Sequence, residues 1–243
     1  MASALESGGK NTGKLSLAGD QNNVDTVNKQ GNRANKRRIN EAHILQAAES
    51  IFAERGYLGA TTAAIAEAAD LPKANVHYYF GTKKALYQPV LDNILTLWLQ
   101  PMQDIREDAD PATALTAYIR EKMRYTRERP SASKVFANEL LHGAVHLQNH
   151  LETDLKDLVE EKARVLTSWI EKGRIKPVDP VHLFFLIWAS TQTYADFDVQ
   201  IAAVLGKNKI GKKEFSTAED TIVQMILATC GLVPDNSVLN QDK

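Results

Sequence analysis

The stretch TTAAIAEAADLPKANVHYYFGTKKALY, residues 61–87, decides the fold. Ile65, Ala66 and Ala69 recur at helical spacing, and Thr61 or Thr62 can cap the segment that holds them. Asp70-Leu71-Pro72 is a tight connection, and Lys73 to Tyr79 reads as a second short helix. Two short helices joined this closely, with Ile65, Ala66, Ala69, Leu71 and Val76 inward, make a helix-turn-helix. Small Ala66 and Ala69 matter because the crossing leaves no room for longer side chains. The second helix then offers Lys73, Ala74, Asn75, His77 and Tyr78 to a major groove, with Thr61 and Thr62 at the start of the first as further expected DNA contacts. Asn and His hydrogen-bond base edges, Lys binds guanine or phosphate, and Tyr packs on a thymine methyl or donates to phosphate. Gly81-Thr82-Lys83-Lys84 follows with N–H groups, a hydroxyl and two ammoniums, a set suited to an anion beside the groove. For Tyr79 and Phe80 a plain bundle core is an equal reading.

Upstream, Arg33, Lys36, Arg37 and Arg38 form a basic cluster before the first periodic segment. Two readings stay open: a solvated lead-in, or an arm in which Arg37 and Arg38 meet phosphates or a minor groove. Residues 1–35 are rich in Gly, Ser, Asn, Gln and Lys, bury too little apolar surface and are expected to be disordered. Leu15-Ser16-Leu17-Ala18 is too short for a secretory signal. Ile44, Ala48, Ile51 and Phe52 then make one apolar stripe, stopped at Gly56. Residues 36–82 are thus a three-helix head.

Downstream the helices lengthen. One runs from Lys83 past Trp98, with Pro89 and Pro101 as kink or end points. Leu115, Tyr118, Ile119 and Met123 define the next, ended at Arg129-Pro130, and Val135, Phe136, Leu140 and Leu141 another. Leu151 to Trp169 reads as a long amphipathic helix ended by Gly173. Asp179-Pro180 opens a helix reaching about Val204, and Ser216 caps a last one. No alternating β-branched run is long enough for a strand. The expected fold is all-α, with residues 83–232 as a larger body and 233–243 as a flexible end.

Composition bounds the function. The 243 residues carry a net charge of -1, so any nucleic-acid contact must rest on a local patch. The single Cys230 has no partner for an intrachain disulfide or zinc site, which points to a reducing, cytoplasmic setting. The most apolar run, from Leu183 through Trp188, meets Ser190, Thr191 and Gln192 well short of the roughly 20 residues a bilayer requires, so no membrane partner is expected. No phosphate-binding P-loop, dinucleotide fingerprint, HExxH or nucleophile elbow occurs, so no enzyme is expected. His142, His146 and His150 would share a face on a regular helix, but Gly143 and Asn149 interrupt it. No metal or cofactor is expected.

Residues 61–87 resemble the DNA-binding head of the TetR-type bacterial regulators, with the run ending in Tyr78-Tyr79-Phe80 and a following Lys-x-x-Leu. Two departures stand in the turn. Asp70 occupies a place where the family often has Gly, and Pro72 one where a Ser or Thr cap is usual. In the body, ILTLWLQPM (94–102), REDADP (106–111), residues 119–144 and residues 154–197 are similar to the pyrimidine-utilisation regulators of that family, and the likeness covers Lys36 to Thr229. It implies a homodimeric repressor on a near-palindromic double-stranded operator, released by uracil or thymine. A purine or aromatic catabolite is the alternative ligand; an enzyme centred on Glu139 and the histidines, or a non-specific architectural DNA protein, are rival classes.

The resemblance implies a ligand in the body between the helices bearing Trp98 and Trp188, two walls for a flat ring. Gln192, one turn beyond Trp188, offers a donor and an acceptor to a base edge. Glu139, one turn from Phe136, could accept from ring N–H groups, and Tyr194 and Asp196 are further candidates. The last two long helices carry apolar residues on more than one face, as a four-helix dimer interface requires. Such a dimer spaces two recognition helices about 34–36 Å apart, one turn of DNA.

Overall fold

The computed structural model describes the backbone of residues 19–233 and the side chains of residues 35–233. Among the described residues every regular element is helical. The helices are α1 (Gly19–Gly59), α2 (Thr62–Ala68), α3 (Lys73–Phe80), α4 (Lys83–Leu99), α5 (Pro111–Glu128), α6 (Pro130–Leu141), α7 (Gln148–His150), α8 (Lys156–Glu171), α9 (Pro180–Asp196), α10 (Asp198–Val204) and α11 (Lys212–Thr229). A 3-10 turn, Gln100–Asp104, follows α4, and a π-helical turn, Leu151–Leu155, joins α7 to α8.

The chain divides into two compact units, residues 1–43 and 44–243. In the first, α1 begins at Gly19, so residues 19–35 are helical where composition predicts disorder. Propagating a helix costs far less than nucleating one, and residues 20–43 contain no proline to stop it. The expected flexible segments 1–18 and 234–243 lie outside the described residues.

The second unit has two apolar clusters. One joins Ile44, Phe52, Ile65 and Val76 of the helix-turn-helix region to Leu86, Leu91, Ile94 and Trp98 of α4 and to Val135 of α6. The other packs α5, α8, α9 and α11 around Leu115, Tyr118, Trp169, Phe184 and Ile226. A head ending at residue 82 is therefore not a packing unit. The buried residues of α4 recur at three- and four-residue intervals from Leu86 to Trp98, a stripe that the head and α6 both cover. The Arg129 guanidinium adds a bond from the start of α6 to Glu49 of α1, at 2.6 Å.

Helix starts follow the sequence closely. Thr61 and Thr82 accept the N–H groups of Ala64 and Ala85, each at 3.1 Å. Asp110 and Asp179 accept those of Thr113 and His182, each at 2.9 Å, just ahead of Pro111 and Pro180. Gly56 departs from helical geometry at φ 65°, as a stop there requires. Pro89 stays inside α4.

Two helix boundaries differ from expectation. The helix opened by Asp179 does not run on to Val204; Phe197, at φ −121° and ψ 33°, separates α9 from α10. The reason lies on either side of the break, where Ser133 donates to Asp196 at 2.6 Å and Lys134 to Asp198 at 2.9 Å, fixing the chain to α6. The last helix starts at Lys212 rather than after Ser216, because the Glu214 carboxylate accepts the Gly211 N–H at 3.0 Å.

The Thr113 backbone N–H, then its hydroxyl, hold the Asp110 carboxyl below its usual range. Its stabilising effect is therefore present above the unfolded carboxyl value, about 3.9, and is lost as pH falls through the lower folded value. Urea unfolding of Asp110→Ala should show a loss of about 1 kcal/mol at pH 7, fading below pH 4.

Candidate functional site

The crossing of α2 and α3 rests on Ile65, Ala66 and Val76, all essentially without solvent exposure. Ala69 and Leu71 pack against them, half-buried. The turn between the helices places Asp70 at φ 52°, the left-handed region in which Gly is most at ease. Leu71 N–H returns to the Ala66 carbonyl at 3.0 Å. Pro72 gives α3 no side-chain cap, but its carbonyl accepts the Asn75 N–H at 2.8 Å.

On the outer face Lys73, Ala74, His77 and Tyr78 are exposed and Asn75 is half-buried. Tyr78 is 75% exposed, its ring edge-on to that of half-buried Tyr79. The His77 Nδ1 lies 2.9 Å from the Gly81 carbonyl, which can only accept, so the ring donates there and keeps Nε2 as an acceptor. An amide, an imidazole acceptor, an ammonium and a phenol thus share one exposed helix face, a pattern of groups fit to meet base edges and phosphates.

One of the expected DNA groups, Lys83, has its donors engaged elsewhere. The Lys83 ammonium donates to the carbonyls of Tyr57 at 2.7 Å, Ala60 at 3.0 Å and Leu58 at 3.3 Å, and lies over the Tyr57 ring. All three of its donors close the end of α1, so it is a structural tie and not a phosphate contact. Lys84 beside it is exposed. Arg37 and Arg38 lie on α1 and not on an irregular arm, and Arg37 bonds Glu41 at 2.9 Å.

In the body, Trp98, Phe136, Trp188 and Gln192 line one cavity of about 170 Å³, together with Met102 and Lys122. Trp98 and Phe136 belong to the apolar cluster of the head, and Met102 and Trp188 to that of the body, so the cavity lies on the seam between the two. The Trp188 indole is held by the Tyr118 hydroxyl at 2.7 Å. The Trp98 Nε1 is buried with no partner among the protein's own groups. Lys122 is 2% exposed, its ammonium 3.9 Å from the centre of the Trp98 ring. Burial pushes its pKa down to about 7, against a smaller opposing pull from Asp196.

Glu139 is not in this cavity. It lines another, of about 510 Å³, with Tyr57, Tyr87 and His146. Its oxygens already accept from the Tyr87 hydroxyl at 3.0 Å and the His146 N–H at 2.7 Å, so it is not available to a ring N–H of a ligand on the seam. Burial, then the Glu139 charge, push the Tyr87 phenol up. Tyr194 packs against Phe215, its ring 6.1 Å away, and also lies off the seam. Asp196 accepts from Ser133.

Sequence reading misses Lys122, although a signal is present. Leu115, Tyr118, Ile119 and Lys122 occupy one helical stripe, and a charge at its end is a buried charge. Helix α6 stops before His142, whose ring, like those of His146 and His150, has its own local partner. Among the described residues no cluster is placed to hold a metal ion, and no helix is long and apolar enough to cross a membrane.

A helix-turn-helix whose second helix presents an exposed polar face defines a DNA-binding regulator. The family model described as bacterial regulatory proteins, tetR family, matches residues 44–90, and that for the C-terminal region of YcdC-like proteins matches residues 91–233. The chain belongs to the TetR family of transcriptional regulators. It is 42% identical to the HTH-type transcriptional regulator RutR of Escherichia coli (strain K12) over 184 residues, 76% of this chain and 87% of that one. It is 31% identical to the HTH-type transcriptional repressor NicS of Pseudomonas putida over 61% of this chain and 69% of NicS. Among solved structures, the TetR family transcriptional regulator PfmR of Thermus thermophilus superposes with a TM-score of 0.59 at 19% identity, over 79% of this chain and 96% of that one.

Lys83→Met should leave three carbonyls short of a donor and lower stability by about 1–3 kcal/mol in urea unfolding. Its DNA affinity should keep the salt slope of the parent protein. Lys84→Ala should instead keep stability and reduce that slope by about one.

Proposed function

We propose that this protein is a homodimeric repressor whose two α3 helices read a near-palindromic operator, and that uracil or thymine in the Trp98–Trp188 cavity weakens that binding. The observation that carries this reading is the seam. A ligand there touches α4 at Leu95 and Trp98, and the same helix starts just after Thr82, two residues beyond the end of α3. Filling the seam moves the two apolar clusters relative to one another, and α4 transmits that movement to α3. The 42% identity to RutR and the repressor role in the name of NicS support the same class of function.

The ligand reading rests on size and shape. Small-molecule pockets commonly span about 300–1,000 Å³, so a cavity of about 170 Å³ favours one ring over the two of a purine. Trp98, Trp188 and Phe136 supply aromatic walls, and stacking on each adds about 0.5–1.5 kcal/mol beyond burial. Dimerisation rests on exposed apolar side chains: Phe185 and Leu186 on α9 and Met225 on α11. A two-fold pairing of these helices gives the half-site spacing of about one DNA turn. Acting on DNA sets the protein in the cytoplasm.

The test is operator release. A duplex selected from a random pool is bound by the protein, and uracil and thymine are titrated against the complex. A coupling of about 3 kcal/mol weakens operator binding roughly 150-fold. Trp98→Ala should keep the operator and lose the release; a mutant that releases as before removes the cavity from the mechanism. Equal affinity for all duplexes would mark an architectural protein, and consumption of uracil an enzyme.

A further inference from the structure

The polar groups on the seam are unbalanced. Lys122 forms no hydrogen bond to a group on the seam; its contact there is the face of Trp98. The Trp98 N–H has no acceptor, while that of Trp188 is already taken by Tyr118. Gln192 adds an amide with one acceptor oxygen. No carboxylate lines the cavity, since Glu139 opens onto the other one.

The charged groups around Lys122 do not neutralise it by contact. Asp196 of α9 acts on it through space, with its own oxygen held by Ser133 of α6. Lys134 of α6 is paired with Asp198 of α10. The cavity walls from α4 and the π-helical turn, Leu95, Leu99, Leu151 and Leu155, are apolar. A buried ammonium over an indole, with no anion against it, is complementary to an oxygen acceptor supplied from outside.

We propose that Lys122 is the specificity-determining residue of this cavity: its ammonium donates to a carbonyl or oxyanion on the edge of a planar ring, so that acceptor-edged rings are selected. This rests on the cavity being the ligand site. Selection follows because a ring lacking the acceptor leaves the ammonium and the Trp98 N–H unmatched, whereas a ring that carries it satisfies at least one. Proton uptake follows from sign. An acceptor favours the charged amine, so the amine's pKa rises on binding, and near pH 7 a fraction of the sites must gain a proton. Affinity for a neutral ring is then constant at low pH and falls as pH rises past the value of the ligand-free amine.

The experiment is calorimetric titration of the full chain with uracil and with benzene, a planar ring with no edge acceptor. It is run at pH 6 and 8, and at pH 7 in two buffers of different ionisation enthalpy. For the parent protein, uracil should bind about fivefold or more weaker at pH 8 than at pH 6, with proton uptake at pH 7, and benzene should bind at least tenfold more weakly. Lys122→Met should bind uracil at least tenfold more weakly, with no pH dependence and no uptake. Without ligand, Lys122→Met should melt higher than the parent, because the desolvation cost of a buried ammonium is gone; Lys122→Gln provides a second variant should the methionine fail to fold. Uracil bound alike by parent and variants, with no uptake, overturns the role of Lys122 and leaves the ligand site standing. If uracil binds neither the parent nor any variant, the pyrimidine reading falls, and this inference with it.

Discussion

Helix α4 has one apolar stripe and two neighbours that depend on it. Leu86, Val90, Leu91, Ile94 and Trp98 are buried, and no single layer covers all of them: the head helices and α6 share them. This sharing fixes the orientation of α2 and α3, because Lys83 at the start of α4 also closes the end of α1. It equally fixes where Trp98 ends up. The helix-turn-helix and the aromatic cavity consequently both pack on one buried stripe.

The same constraint accounts for the division of polar labour on α6. A helix turns about 100° per residue, so Glu139 lies about 60° from Phe136 and about 100° from Leu140. Phe136 and Leu140 reach the seam, while Glu139 is turned toward α4 and the end of α1. There its carboxylate gathers Tyr87 and His146, whose rings pack on Tyr57 and on each other. A short helix thus carries one wall of the aromatic cavity and a polar joint to the head.

How much of this is legible follows from what local sequence encodes. Residues 61–87 display both the inward set and the outward set of a helix-turn-helix, because the 3.6-residue period sorts them without tertiary knowledge. The caps at Thr61, Thr82, Asp110 and Asp179 are legible for a similar reason: each is satisfied within four residues. The break at Phe197 is not, since it depends on Ser133 and Lys134, which are remote in the chain. Lys83 reads as an anion-binding group because nothing local reveals that the Tyr57 and Ala60 carbonyls converge on it. Spacing assigns Glu139 to the wrong cavity because it gives a residue's angle on its helix and not what stands opposite.

Lys122 shows how a local pattern can be overruled by composition. It sits among Arg120, Glu121 and Arg124, a run that reads as a solvated face. Yet Arg120, Glu121 and Arg124 remain partly exposed with carboxylate or guanidinium partners at the rim, while Lys122, one position off, falls on the stripe of Leu115, Tyr118 and Ile119. Retaining an ammonium there costs stability that a methionine would not, since no carboxylate on the seam touches it. Such a cost at the seam between two apolar clusters makes sense where an external acceptor offsets it.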